Sequence, residues 1–194
     1  MPGKSKAAEQ KRQAFEKIAF THIDALYNTA LRMTRNVLDA EDLIQDVYLR
    51  AFRFFDKFEE GTNFKAWIFK ILTNTYINRY RQKAREPRKV DFEKVEFVHG
   101  DDSKGRDEKF ETHFDEKLYR ELFEDDIRNA LDKLTDDFRA IVLLCDVEGF
   151  SYKEIAEIIG RPIGTVMSRL SRARQQLQKQ LAEFAKREGY LKKP

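Results

Sequence analysis

The segment from Ser151 to Arg174, SYKEIAEIIGRPIGTVMSRLSRAR, gathers Thr165, Ser168, Arg169, Arg172 and Arg174 into one short stretch. Hydroxyls and guanidiniums in this pattern suit base edges and phosphates, because arginine bonds guanine through two donors and any phosphate as a charge. A second set lies earlier in the chain. Lys70, Asn74, Asn78 and Arg81 recur at spacings of four, four and three, with Thr73, Tyr76, Arg79 and Tyr80 beside them. Asparagine amides read a base edge only when that base is exposed. Aromatic rings and guanidiniums stack on bases that have left a duplex, at about 1 to 3 kcal/mol per base. The first set fits duplex DNA, the second a single strand.

Each set implies a helix that presents it. Ser151 stands three residues before Glu154 in the reciprocal capping-box arrangement, so a helix starts near Tyr152. Ile155, Ala156 and Ile159 share one face of it until Gly160 and Pro162 interrupt the pattern. After a turn at about 160–163, Ile163, Val166, Leu170, Ala173 and Leu177 step by three and four as a buried stripe. Thr165, Ser168, Arg169 and Arg172 must then face outward, which is the layout of a helix-turn-helix. The Lys70 set requires a helix from Phe64 to about Gln82, with Phe64, Trp67, Ile68, Ile71, Leu72 and Thr75 facing inward. By its spacing Trp67 is core.

The remaining patterns are helical too. Phe20, Ile23, Tyr27, Ala30 and Leu31 make one amphipathic face, and Asp39 is placed to cap a helix carrying Leu43, Ile44, Val47, Ala51 and Phe54. Ile127, Leu131 and Leu134 resume the pattern, followed by Phe138, Ile141, Val142 and Cys145 behind a Thr135 cap, with Gly149 as the stop. No strand pattern stands out. The expected fold is all-α: two small helical domains, at 14–86 and 124–190, joined by a flexible linker over 87–123 in which charges of both signs mix with Gly100, Ser103 and Gly105. Residues 1–13 are small, polar and basic and are expected to be disordered.

The formal net charge is only +3, but its distribution is uneven. Residues 65–89 hold eight Lys or Arg against Glu86 alone, and residues 163–193 hold eight against Glu183 and Glu188. Residues 39–60 are acidic, with seven acids against three bases. Two basic surfaces alternating with an acidic one imply two nucleic-acid contacts and a protein contact. A lone Cys145 in the apolar run from Ile141 to Val147 excludes an internal disulfide and reads as a buried core thiol. No segment resembles a signal peptide, and no run approaches the ~18 apolar residues needed to span a bilayer, so the expected location is cytoplasmic with no membrane contact.

The runs DAEDLIQDVYLRAF (39–52) and FEEGTNFKAWIFKILTNTYINRYR (58–81), with the helix-turn-helix, resemble the extracytoplasmic-function (ECF) group of sigma-70-type transcription initiation factors. The resemblance covers roughly residues 15–86 and 124–182. It implies that 14–86 is a sigma-2 domain, which opens the −10 element and docks on the clamp helices of core RNA polymerase. It makes 124–190 a sigma-4 domain that reads the −35 element and meets the polymerase flap. By position, Asp39, Glu41, Asp42, Leu43, Gln45, Asp46 and Leu49 match the polymerase-docking segment, which accounts for the acidic patch. Asn74 matches the reader of a flipped −10 base, held with help from the loop 61–63 and Asn63, while Trp67, Lys70, Asn78, Arg79 and Arg81 line the same strand. Thr165, Ser168, Arg169, Arg172 and Arg174 match the −35 face.

The runs ALRMTRN, GTNFKAW, ILTNTYIN, DVEGFSYKEIAEI and PIGTVMSRL are similar to the thiol-oxidative-stress subgroup, the sigma-R and sigma-H type. That likeness implies a GGAA-type −35 element and inhibition by a zinc-containing, redox-sensing anti-sigma factor. Two positions depart from the pattern: Met167 stands where most of the family carry arginine or lysine, and Ser171 where the subgroup usually has histidine.

A catalytic reading has little to rest on. His22, His99 and His113 are scattered, no glycine-rich phosphate loop occurs, and no Cys/His cluster calls for a metal, so neither metal nor cofactor is expected. Two other readings remain open: a DNA-processing enzyme with an appended helix-turn-helix, and a stand-alone helix-turn-helix repressor. The enzyme needs a nucleophile in a pocket. The repressor leaves the acidic segment and the single-strand face without a task.

Overall fold

Helices make up every regular element of the residues that this computed structural model describes, 3–85, 125–187 and 189. The first half holds α1 (Gly3–Ala19), α2 (Ile23–Thr34), α3 (Val37–Phe54) and α4 (Phe64–Arg85). The second holds α5 (Asp125–Asp132), α6 (Asp136–Val142), α7 (Tyr152–Ile159), α8 (Ile163–Gln180) and α9 (Ala182–Arg187). The expected linker, 87–123, lies outside the described residues.

The N-terminal expectation is overturned, because residues 3–13 are the start of α1 rather than a disordered tail. The tether is aromatic. Phe15 is 5% exposed and meets the rings of Phe52 and Phe55 edge-on, with centroids 5.5 and 5.3 Å away. Lys11 adds an ion pair to Asp56 and lies over the Phe52 ring. A polar composition hid this, since one well-placed ring anchors the helix.

Two caps differ from expectation. α3 starts at Val37 under Asn36, whose Oδ1 accepts the Asp39 N–H at 3.0 Å, so Asp39 sits inside the first turn, where a carboxylate favours the positive end of the helix. Thr135 occupies the N-cap of α6 but its hydroxyl makes no capping bond. The capping box at α7 forms as the sequence indicates. Ser151 Oγ accepts the Glu154 N–H, and Glu154 Oε2 accepts the Ser151 N–H at 2.9 Å, with Gly160 closing the helix at φ 63°.

The two halves share one continuous apolar core. Phe69 of α4 meets Phe150 at 5.2 Å between centroids, and Leu72, Ile141, Leu144, Ile155 and Ile158 are all under 2% exposed. A π turn at Leu143–Val147 makes this possible. The Glu148 N–H bonds the Leu143 carbonyl five residues back, and the extra residue swings Glu148 and Phe150 toward α4.

Candidate nucleic-acid interface

α4 presents its polar face on schedule: Lys70, Asn74 and Asn78 are exposed, and Ile68, Leu72 and Thr75 are buried. Its base is fixed by Asn63, whose Oδ1 accepts the Ala66 N–H at 3.1 Å, and Trp67 is half-buried between Phe58 and Phe64. The face is narrower than the spacing suggests. Thr73 and Tyr76 are 0% and 8% exposed because the second half of the chain covers that flank. Arg79 also turns away, pairing with Asp46 and donating to the Asp42 carbonyl of α3 at 3.2 Å. The side chain of Arg81 lies outside the described residues.

On α3, Asp42, Gln45 and Leu49 are exposed, with Leu49 at 69%, and Asp39, Glu41 and Asp46 are half-exposed. Leu43 is a correction. At 1% exposure it is core, one helical turn from Val47, and has no surface to offer a partner.

On α8, Ser168, Arg172 and Arg174 are exposed, while Thr165 and Arg169 are half-buried. Arg169 Nη1 reaches Asp137 of α6 at 2.8 Å, and Arg174 is held by Asp146 with Tyr152 beside it. The pairing with Asp146 raises Arg174 above the ordinary guanidinium range. Ile163 is another correction: it is 49% exposed rather than part of the buried stripe, since α8 begins there and nothing packs over the turn. Cys145 is half-buried rather than core, and burial pushes its thiol up, the Asp146 carboxylate adding to the effect.

Sequence reasoning missed the contacts that join the halves. Arg139, 1% exposed, donates through Nη1 to the Met33 carbonyl at the end of α2 (3.1 Å) and to Asp136 (3.1 Å). It also donates to the Leu131 and Leu134 carbonyls at 3.0 and 2.8 Å. The last carbonyls of a helix have no partner of their own, and this guanidinium supplies one. The Tyr76 hydroxyl lies 2.8 Å from Asp136 Oδ1, Lys65 Nζ is 3.0 Å from Glu148 Oε2, and Thr29 donates to the other Glu148 oxygen at 2.7 Å. Asn63 Nδ2 donates to Glu154 at 2.9 Å. One signal was available: Arg139 is a lone charge inside the apolar run FRAIVLLC.

These contacts draw the two polar faces toward each other. A cleft of about 150 Å³ is lined by Asn74, Ile77 and Asn78 on one side and Asp137, Arg161 and Arg169 on the other. The polar face of α4 therefore borders the second half of the chain at Asn74 and Asn78.

Two family models match the chain: "Sigma-70 region 2" over residues 20–86 and "Sigma-70, region 4" over residues 124–177. The helical bundle and the helix-turn-helix are thus the two regions of a sigma factor. Among relatives, the chain is 35% identical to the ECF RNA polymerase sigma factor SigE of Mycolicibacterium smegmatis over 89% of its own length, spanning 63% of that protein. It is 33% identical to the ECF RNA polymerase sigma factor EcfG of Rhodopseudomonas palustris, covering 80% of this chain and 78% of that one. A solved structure of the sigma factor RpoE with the anti-sigma factor NepR from Bartonella quintana is similar at a TM-score of 0.66 and 32% identity, over 88% of this chain and 98% of that one. The chain belongs to the ECF sigma factors of the sigma-70 family, a family of transcription initiation factors and not of enzymes.

Proposed function

We propose that this alternative sigma factor directs core RNA polymerase to promoters through two reading faces, and that the closed arrangement described above is its resting form. Asn74, with Lys70 and Asn78, captures a −10 base as the strand opens, and Asn63 and Trp67 shape the edge of that site. Arg172 reads the −35 element, with Thr165, Ser168, Arg169 and Arg174 at its margins. Asp42, Gln45 and Leu49, flanked by Asp39, Glu41 and Asp46, dock on the polymerase clamp. Carboxylates around an exposed leucine suit a basic partner with an apolar socket. The first domain takes in α1 from Gly3 and runs to 86, the second covers 124–190, and the site of action is the cytoplasm; among the described residues no helix is long and apolar enough to cross a membrane.

The observation that carries this reading is the cleft. Asn74 and Asn78 are exposed, yet they line a cleft of about 150 Å³ with Arg161 and Arg169, so a strand laid along this face meets the second half of the chain. Transcription on this reading requires the halves to part, and the segment 87–123, which can span on the order of 100 Å when extended, sets how far. Once both regions engage one polymerase, each raises the effective concentration of the other at its own DNA element. A sigma factor bound to an anti-sigma factor is similar over 88% of this chain, hence over both regions, which supports a closed, inhibited form. The finer assignment is a thiol-oxidative-stress role under a zinc-containing, redox-sensing anti-sigma factor. It rests on the runs quoted above, whereas the relatives include proteins named SigE, EcfG and SigW.

Run-off transcription with core polymerase on a GGAA-containing promoter tests the function. Product only when this chain is present is expected. A chain that binds the promoter but yields no transcript would be a repressor. Reversal of inhibition by a thiol oxidant, with a cognate zinc protein added, tests the finer assignment.

A further inference from the structure

On a helix-turn-helix, the first turns of the second helix reach the base edges. In this chain those turns are nearly bare of free donors. Ile163, Gly164, Met167 and Ser168 are the exposed residues there, with Ile163 at 49% and Met167 at 53%. Ser168 turns its hydroxyl inward, donating to the Thr165 carbonyl at 3.1 Å. Arg169 points aside to Asp137 and Arg174 to Asp146, both partners lying in the same half of the chain, so parting the halves leaves these pairs in place. Of the three arginines of α8, Arg172, in the third turn, is the one left without an ion pair.

Met167 occupies the middle of this surface, one turn from Ile163 on one side and from Ser171 on the other. It also forms the edge of a shallow groove floored by Leu170 and closed by Tyr152 and Arg174. Among major-groove edges, the one methyl group is the C5-methyl of thymine; cytosine has only a C–H at that place, and the remaining groups are donors or acceptors. An unbranched thioether with three rotatable bonds can settle against such a methyl without a fixed hydrogen-bond geometry. Lys153, Arg161 and Arg172, all exposed within the helix-turn-helix segment, provide cations for flanking phosphates, which favours DNA over an apolar protein partner.

We infer that Met167 is a specificity-determining residue of the −35 contact, packing its side chain against the 5-methyl group of a thymine on either strand of the element. The inference rests on the reading that α8 enters the major groove, and it goes beyond that reading by naming the base and the group recognised. An arginine at this position would favour guanine; methionine selects for an A·T pair whose thymine methyl faces the helix.

The experiment uses holoenzyme reconstituted from the full chain and core polymerase, with promoter duplexes in which each thymine of the −35 region is replaced in turn by deoxyuridine. Removing one methyl deletes about one buried carbon, so one replacement is expected to weaken promoter binding about fourfold. Met167→Ala should bind the thymine duplex as weakly as the original chain binds the deoxyuridine one, and its own thymine-to-deoxyuridine ratio should fall to about one. Met167 is exposed and bonded to nothing, so the variant keeps its fold.

Three outcomes overturn the inference. One is a binding constant unchanged by every deoxyuridine. Another is an unchanged ratio in Met167→Ala. The third is loss of assembly with core polymerase in that variant, which would assign the patch to a protein. Arg172→Ala separates the two levels. If it relaxes base preference while deoxyuridine has no effect, only the methyl contact fails. If neither variant alters −35 preference, the groove-reading role of α8 fails with it.

Discussion

The outer faces of α4 and α8, both proposed to meet DNA, differ in chemistry and in access. The α4 face carries a cation and two amides, and it looks into a cleft shared with Arg161 and Arg169. The α8 face is open, half apolar in its first turns, and holds its unpaired cation in the third. Amides and ammonium groups suit bases that must first be exposed, whereas a methionine and an arginine suit groups already displayed in a groove. The face proposed to take melted DNA is the one that borders the second half of the chain in the closed form. Contacts that hold the halves together are therefore as much a part of the function as the faces are.

The sharpest way to break this contrast is to remove the buried guanidinium. Arg139→Ala removes the buried cation that Asp136 and several backbone carbonyls share, leaving Asp136 only the Tyr76 hydroxyl and the longer reach of Arg35, and should cost about 3 to 5 kcal/mol, read from urea unfolding. In a Cys145→Ser background, a cysteine probe introduced as Asn74→Cys should then react faster with a bulky thiol reagent, while one at Arg172 should not change. Equal acceleration at both positions would mean general loosening rather than opening.

Exchanging the faces' amino acids comes next. Asn74→Ala should cost about 1 to 3 kcal/mol in strand opening, seen as lost permanganate reactivity, with −35 binding intact. Arg172→Ala should cost about 1 to 3 kcal/mol in −35 binding and relax the preference at one base pair, with permanganate reactivity restored at saturating polymerase. A loss from Arg172→Ala that is identical on every sequence would mean a phosphate contact only.

Smaller effects probe the support of the open face. Ser151→Ala removes the cap of α7 and should lower stability by about 1 kcal/mol in thermal unfolding. The Ser151 N–H and hydroxyl, then Asn63, hold the Glu154 carboxyl below its usual range. A carboxyl depressed in the folded state contributes stability above the ordinary glutamate range and loses it as pH falls through the lowered value. The Ser151→Ala deficit should thus shrink on acidification. The Asn63 bond across the halves should weaken with it, so the closed form loosens only as pH falls below the ordinary glutamate range.

Much of this was legible from local pattern. The capping box at Ser151 and Glu154, the turn at Gly160, and the buried Ile68 and Leu72 of α4 follow from spacing alone, because each depends on neighbours within one or two turns. Leu43 was misjudged because its docking role came from position in a motif, while its exposure depends on how α3 packs. Thr73 and Tyr76 were misjudged because a helical period assumes one buried side, and α4 is covered on two. Arg79 leaves the single-strand face for an equivalent reason: a carboxylate on α3 lies within its reach.

Local chemistry in the sequence determined the helices, their caps, the two polar faces and the family to which the chain belongs. The tertiary structure alone decided that the α4 face borders the second half of the chain, that Arg139 ties the end of α2 to that half, and that Arg169 and Arg174 are committed to carboxylates beside them. Those outcomes depend on groups separated by up to 119 residues, as in the bond from Thr29 to Glu148. Periodicity places each residue on a face of its own helix. Which face meets which is settled only when burial of the shared core and pairing of its few buried charges are satisfied together.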